Sequence, residues 1–315
     1  MPRTRYNNLD NVNTDRTLKQ LRQWREERRK KKKDYSYIIP NMPPQLDFLL
    51  QNQGEVSITW IGHSTFLIQY EGLNIVTDPV WATRMGFQRR IGTPGIAIQD
   101  IPNIDIILIS HSHYDHMHLA SIRKLYGAET RLIVPVGLGR KMIRKGFQRT
   151  YELKWWDDLQ VGNVKISFVP TQHWTRRTLF DFNTSHWGGY ILEAVEAREG
   201  YHPQVIYFAG DSGYFRGFID IGKKYEIDVA LMPIGAYEPE WFMNSQHTTP
   251  EEALQAFIDV NAKIMVPMHY GTFRLADDTA REALDRLEAD RQRRSVPAES
   301  IRVLMHGETL RFPKE

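Results

Sequence analysis

The sequence predicts an α/β protein whose sheets are covered by helices, and three observations predict it. Short apolar runs, each bounded by Gly, Pro or Asp, recur from residue 56 to the C-terminus and read as strands. Five segments of helical periodicity are interleaved with them, which points to sheets flanked by helices. The composition, 41% hydrophobic and 25% charged, is that of a globular domain and excludes pervasive disorder, collagen-like repeats and a coiled-coil rod. At 315 residues the chain is long enough for one large core plus a tail.

Residues 1–45 form the expected tail and linker. Of the 41 Lys/Arg and 38 Asp/Glu, residues 1–34 hold 12 and 5, which leaves 29 and 33 for the body. A mildly acidic body with a basic tail excludes a broad nucleic-acid footprint, so no nucleic-acid partner is expected. The stretch 15–34 contains TLKQLRQWREERRKKKK, polar and helical, with Leu18, Leu21 and Trp24 at three-residue spacing. It reads as a solvated helix lying across the body. Sharper readings are peripheral contact with an anionic membrane through residues 16–33 and an import-like basic run at 28–33. The Pro-rich linker IPNMPP follows at 39–44.

In the body, 46–315, strands are expected at 56–60, 65–70, 74–77, 104–110, 131–134, 165–169, 189–193, 204–208, 229–233, 263–267 and 301–303. Helices are expected at 119–126, 138–145, 218–225, 251–260 and 279–294. Thr249-Pro250-Glu251-Glu252 is a helix start, with Thr249 as N-cap and Glu252 reaching back, and it fixes His247 just ahead of that helix.

No window approaches the roughly 18 apolar residues of a membrane-spanning helix. The N-terminal MPRTRYNNLD lacks the apolar core of a secretion signal, so a cytoplasmic or at most peripherally attached protein is expected. With no cysteine, disulfides and thiolate metal sites are impossible, and any metal must be held by His, Asp or Glu.

The chemistry concentrates in Ser110-His111-Ser112-His113-Tyr114-Asp115-His116, directly after an apolar run. Three imidazoles and a carboxylate in so short a loop suit a borderline cation, which takes such groups in sets of three or four. Other predicted strands lead to His173, Asp211 and His269, so a shared site at one sheet edge is expected. Seven candidate ligands, His111, His113, His173, Asp115, His116, Asp211 and His269, exceed one tetrahedral ion and suit two, bridged by Asp211. Such a pair acidifies a bound water and stabilises charge on an attacked phosphoryl or carbonyl oxygen, which implies hydrolysis. His118, His186, His202 and His306 read as solvated or packing residues. A serine-hydrolase elbow and a phosphate-binding Walker loop are absent from the sequence.

The H-x-H-x-D-H loop with His173, Asp211 and His269 downstream resembles the metallo-β-lactamase superfamily. The wording is closer still to its N-acylphosphatidylethanolamine-hydrolysing phospholipase D family: Trp60-Ile61-Gly62-His63-Ser64-Thr65, Gln172-His173-Trp174, Gly210-Asp211-Ser212-Gly213-Tyr214, Pro233-Ile234-Gly235-Ala236-Tyr237-Glu238-Pro239, Trp241-Phe242-Met243 and His269-Tyr270-Gly271-Thr272-Phe273. The matching phrases span about residues 56–312. The resemblance implies a four-layer αβ/βα sandwich with two Zn2+ ions, or other divalent metals such as Mn2+ or Fe2+. It assigns His111, His113 and His173 to one ion and Asp115, His116 and His269 to the other, with Asp211 between.

The resemblance further implies a phosphodiesterase that turns N-acylphosphatidylethanolamine into phosphatidic acid and an N-acylethanolamine by attack of a metal-bound hydroxide oriented by Asp115 and Asp211, and a homodimer. His247 would touch the phosphate or assist the leaving group, or simply order the helix start. His63 would support a ligand, or be a buried structural residue. Tyr237 and Trp241 lie in family phrases near the expected substrate mouth, although aromatic groups of this kind are more often core. Rival readings are a lactonase like the ascorbate-6-phosphate lactone hydrolases, another small-molecule phosphodiesterase, and a metal-binding scaffold without turnover.

Overall fold

A computed structural model describes residues 4–14, 16–196 and 203–313. In chain order its elements are α1 (Leu18–Lys30), α2 (Leu46–Gln51), β1 (Val56–Gly62), β2 (Thr65–Tyr70), β3 (Leu73–Thr77), β4 (Arg84–Met85), β5 (Gln88–Arg89), β6 (Ile106–Leu108), α3 (Leu119–Leu125), β7 (Arg131–Pro135), α4 (Gly139–Arg144), β8 (Thr150–Leu153), β9 (Asp158–Val161) and β10 (Val164–Val169). They continue with β11 (Gly189–Ala194), β12 (Ile206–Phe208), α5 (Gly217–Lys224), β13 (Val229–Pro233), α6 (Glu240–Met243), α7 (Pro250–Asp259), β14 (Ile264–Met268), α8 (Ala280–Arg293) and β15 (Thr309–Phe312).

A seven-stranded sheet in the order β15-β1-β2-β3-β6-β7-β8 faces a six-stranded sheet in the order β14-β13-β12-β11-β10-β9. Alternation along the strands makes the layers. In β2, Phe66, Ile68 and Tyr70 enter the core between the sheets while Leu67 points the other way. Ile106 and Leu108 of β6 do the same against Ile107, and the outward-facing set meets Ile122 of α3 and Met142 of α4. Residues buried on both faces read as continuous apolar runs, because a central strand covered twice has no solvated side. On the opposite flank, Phe218 and Ile221 of α5 and Leu254 and Phe257 of α7 cover the second sheet. The result is the expected four-layer αβ/βα sandwich.

The parallel pairings β3–β6–β7 and β12–β13–β14 bring the C-terminal ends of these strands to one edge. The chemistry is gathered there. Local sequence signals set the helix starts: Thr17 and Gln20 form a capping box at α1, and Thr249 and Glu252 form another at α7, as the sequence predicts.

Three differences from expectation have physical reasons. The run at 301–303 makes only one bridge, Ile301 to Met265, because a short 3-10 turn at Ala298–Ser300 precedes it. The last strand is instead β15, which pairs antiparallel with β1 and carries the half-polar sequence TLRF of an exposed edge. β8 and β9 are likewise edge strands, too polar to stand out by hydrophobicity. Asp15, at the start of the predicted polar helix, and His202 lie outside the described residues.

The N-terminal segment is packed onto the body. Leu21 and Trp24 of α1 sit against Ala236, Phe242, Met243 and Ala276, and the Trp24 indole donates to Asp277 at 2.7 Å. Arg28 pairs with the buried Asp277 at 3.0 Å, Lys31 with Glu238 at 2.8 Å, and Lys33 with Glu282 at 2.6 Å. Part of the tail's positive charge is therefore neutralised by the body's acids.

Truncating Ile68 to Ala in the inter-sheet core should lower unfolding free energy by about 2–5 kcal/mol. Leu18→Ala, at a position 75% exposed, should stay within about 0.5 kcal/mol. Urea denaturation of both variants checks the pair; equal midpoints would contradict the core assignment.

Candidate metal centre

Each candidate side chain is delivered by a chain reversal at the shared edge. His111, His113, Asp115 and His116 follow β6, His173 follows β10, Asp211 follows β12 and His269 follows β14. Gly210 lets β12 end against the loop, because a Cβ there would meet the Ser110 Cβ at 2.8 Å. Four non-glycine residues at this edge, His63, Asp78, Ala236 and His269, adopt positive φ. Such backbone costs on the order of 1–3 kcal/mol each and gathers where a site overrides local preference.

The imidazoles fall into two groups. The Nε2 of His111 is 2.8 Å from the Nδ1 of His113, which is 3.1 Å from the Nε2 of His173. The Nε2 of His116 is 3.2 Å from the Nε2 of His269, and both face Asp115 at 3.3 and 3.5 Å. Asp211 stands between the groups: its Oδ2 is 3.1 Å from His116, 3.2 Å from His269, 3.8 Å from His173 and 3.9 Å from His111. All seven candidate ligands thus converge.

The outward nitrogens determine what the inward ones present. His173 Nδ1 lies 2.8 Å from the Gln246 carbonyl, which can only accept, so Nδ1 carries the proton and Nε2 presents a lone pair. Asp78 does the same for two other rings. Its carboxylate accepts from His116 Nδ1 at 2.7 Å and from the Ser110 hydroxyl at 2.5 Å, and that hydroxyl in turn accepts from His111 Nδ1 at 2.9 Å. The Nε2 atoms of His111 and His173 are therefore lone-pair donors aimed inward, and that of His116 would join them once an ion replaces the proton that Asp211 and Asp115 favour on it.

Lone pairs 3 Å apart repel unless something positive lies between them. A proton on His113 Nδ1 could satisfy only one of its two neighbours, whereas a cation satisfies all three. Ligands about 2.0–2.1 Å from a tetrahedral ion stand about 3.3 Å from one another, close to the observed spacing. The Oδ1 of Asp211 is buried without a hydrogen-bond partner, as a carboxylate oxygen available to a cation would be. The donor sets His111–His113–His173 and Asp115–His116–His269 can each hold an ion, with the Asp211 carboxylate shared.

Electrostatics agree with that reading. Burial holds His111 and His173 well below the ordinary imidazole range and pushes His113 down to about 4, which keeps all three neutral and able to ligate. Burial also disfavours charge on His116 and His269, but Asp211 and Asp115 outweigh it and raise His269 to about 9 and His116 well above its usual value. Both carboxylates stay ionised, because His116 and its neighbours outweigh their desolvation. The buried Asp211 and the largely enclosed Asp115 demand positive charge, which two ions would supply in place of two protons.

Other predicted residues surround this centre. His63, in the turn between β1 and β2, is buried and its Nε2 bonds Asp115 Oδ2 at 2.9 Å. His247 lies with its Nδ1 3.9 Å from Asp211 Oδ2, and burial pushes it down to about 4. Tyr237 and Trp241 do not line the cleft: Tyr237 is fully buried in the main core, and the Trp241 indole donates outward to Glu27 at 2.9 Å. His118 caps α3 through Ser121, His186 is stacked between Tyr6 and Trp155, and His306 packs edge-on against Trp60.

The centre opens into a cleft of about 570 Å³ lined by His113, Asp115, Asp211 and His247 at one end and by Leu21, Trp24, Trp174, Phe182, Phe242 and Met243 along its walls. That volume is typical of small-molecule sites. Three supporting residues escaped the sequence reading. Asp78 had a signal, since it ends an apolar strand as the other ligands do. Arg177 donates to the carbonyls of Ser112 at 2.7 Å and Met117 at 3.0 Å, which pins the ligand loop. Asn8 accepts from the backbone N–H of His173 at 2.9 Å, a contact 165 residues away that no local pattern announces.

Two facing sheets with a His/Asp cluster at their common edge define a protein built to hold metal ions there. The beta-lactamase superfamily domain profile matches residues 73–270, and the chain belongs to the metallo-β-lactamase superfamily. It is 35% identical over 233 residues to N-acyl-phosphatidylethanolamine-hydrolyzing phospholipase D 1 of Caenorhabditis elegans, a match covering 68% of this chain and 64% of that protein. It is also 35% identical over 254 residues to the mitochondrial N-acyl-phosphatidylethanolamine-hydrolyzing phospholipase D of Saccharomyces cerevisiae, covering 76% and 53%. The chain thus spans between half and two-thirds of the length of these relatives. A metal-dependent hydrolase of Methanopyrus kandleri is 30% identical over 69% of the chain and 84% of its own length. Among solved structures, the metallo hydrolase Igni18 of Ignicoccus hospitalis shares the fold, with TM-score 0.63 and 24% identity over 83% of this chain and all of that one. Among the described residues, no helix is long and apolar enough to cross a membrane.

Asp78→Ala should weaken metal binding roughly 10–100-fold, since partners that orient ligating histidines carry that much. Asn8→Ala, which frees the His173 backbone, should weaken it by a smaller factor. Competition against a chromophoric chelator measures both, and wild-type affinity in Asp78→Ala would contradict the relay through Ser110.

Proposed function

We propose that this chain is a dinuclear zinc phosphodiesterase of the phospholipase D type, which cleaves N-acylphosphatidylethanolamine to phosphatidic acid and an N-acylethanolamine. The observation that carries the reading is the two-group ligand cluster bridged by Asp211 at the end of an apolar-walled cleft; the names of the 35%-identical relatives support the substrate. When bound, the two ions supply Lewis-acid charge for the phosphoryl oxygens and acidify a water.

The chain's own residues do the rest. His63 holds one oxygen of Asp115, which keeps that carboxylate ionised and fixes its orientation at the cleft. Asp115, 15% exposed where His116, His269 and Asp211 are closed off, is placed to accept a proton from the attacking water. His247 stands at the cleft wall beside Asp211, placed to contact a phosphoryl or leaving oxygen. Leu21, Trp24 and Phe242 keep bulk water from the apolar part of the substrate. Contact with an anionic membrane through residues 16–33 is part of the same reading, resting on those basic side chains that the body's acids do not neutralise.

The test is a panel of a lipid phosphodiester, an aryl phosphodiester and a lactone, run on metal-loaded wild type, His113→Ala and Asp211→Asn. Turnover of the lipid phosphodiester by wild type and its abolition in both variants, with unchanged melting of the fold, is expected. Hydrolysis of the lactone alone, or full activity in either variant, would sink the proposal.

A further inference from the structure

The N-terminal segment lies outside the span of the matched family profile and yet lines the cleft. It is strapped across the catalytic edge by contacts at its described residues. Tyr6 donates its N–H to the Asn183 carbonyl at 2.9 Å and stacks on His186, Asn8 holds the His173 backbone, and Arg16 bonds the Phe242 carbonyl and the Ser245 hydroxyl, each at 2.6 Å. Beyond Arg16, the capping box at Thr17 starts α1, which turns Leu21 and Trp24 toward the cleft. Their rings and methyls continue an apolar surface formed by Phe242 and Met243, with Trp24 and Phe242 centroids 5.0 Å apart. Leu18, one turn earlier, is 75% exposed and is not part of the cleft lining.

The cleft therefore has a charged end, where the ligand cluster would hold an anionic group, and an apolar wall continuous with it, with the Arg16 cation also on its lining. An anionic amphiphile fits that gradient, and a wholly polar substrate does not. We propose that the N-terminal strap is the specificity wall of the site, with Leu21 and Trp24 seating the alkyl chain attached to the anionic group held at the metal end. The inference rests on the phosphodiesterase reading for the nature of that anionic group, and it adds which residues choose the chain.

Zinc-loaded full-length protein is titrated calorimetrically with n-alkylphosphonates from butyl to dodecyl, all below their micelle concentrations. Burying a methylene tightens binding by up to about fourfold, so wild-type affinity should climb steadily with chain length. Leu21→Ser/Trp24→Ala should flatten the climb and lose roughly tenfold or more on the dodecyl compound while changing the butyl compound little. Leu18→Ser, and the conservative pair Leu21→Met/Trp24→Phe, should keep the climb; circular dichroism verifies that the helix is retained in each. A flat series in wild type, or the same slope in the Ser/Ala variant, overturns the proposal. Hydrolysis of bis(4-nitrophenyl) phosphate by the same preparations separates the two ideas. An intact slope without turnover sinks the phosphodiesterase reading alone, and turnover with a flat slope sinks the wall alone.

Discussion

Inward-pointing imidazole nitrogens, facing the buried carboxylate of Asp211 and the largely enclosed one of Asp115, are the constraint on which the rest depends. Neither arrangement is tolerable in an apolar interior without positive charge among them. The fold goes to some length to create that situation. It runs parallel strands of both sheets to one edge, accepts left-handed backbone at His63, Asp78 and His269, and fixes ring tautomers with a buried carboxylate, a serine and a carbonyl. A site that needed no cation would have no reason to be built so.

Orientation of the ligands is distributed over distant parts of the chain. Asp78, at the end of β3, governs two histidines, one in each metal group, through a single carboxylate. Coupling of this kind means that the two ligand groups are not independent: a disturbance at Asp78 reaches both. Asn8 brings the N-terminal segment into the same framework, so that the segment closing the cleft also steadies the backbone of His173.

The centre of the site was legible in the sequence because metal chemistry imposes a local signature. HSHYDH after an apolar run, and strands ending on His or Asp, are dictated by the geometry of ligands at a sheet edge. The capping box at Thr249 was legible for the same reason, being complete within four residues. What stayed hidden depends on long-range contact or weak patterning. Asn8 is an ordinary asparagine in a polar tail until it meets His173. β8, β9 and β15 are edge strands whose exposed faces dilute the apolar pattern, and 301–303 was apolar enough to imitate one of them. Tyr237 and Trp241 show the converse: aromatic residues beside a site read as lining it, while in the fold one fills the core and the other ties down α1.

The most direct measurement is anomalous diffraction from crystals of the zinc-loaded protein. Two peaks are predicted, one enclosed by His111, His113 and His173 and the other by Asp115, His116 and His269, each within ligand distance of the Asp211 carboxylate. A single ion, or ions held elsewhere with Asp211 unligated, would contradict the account.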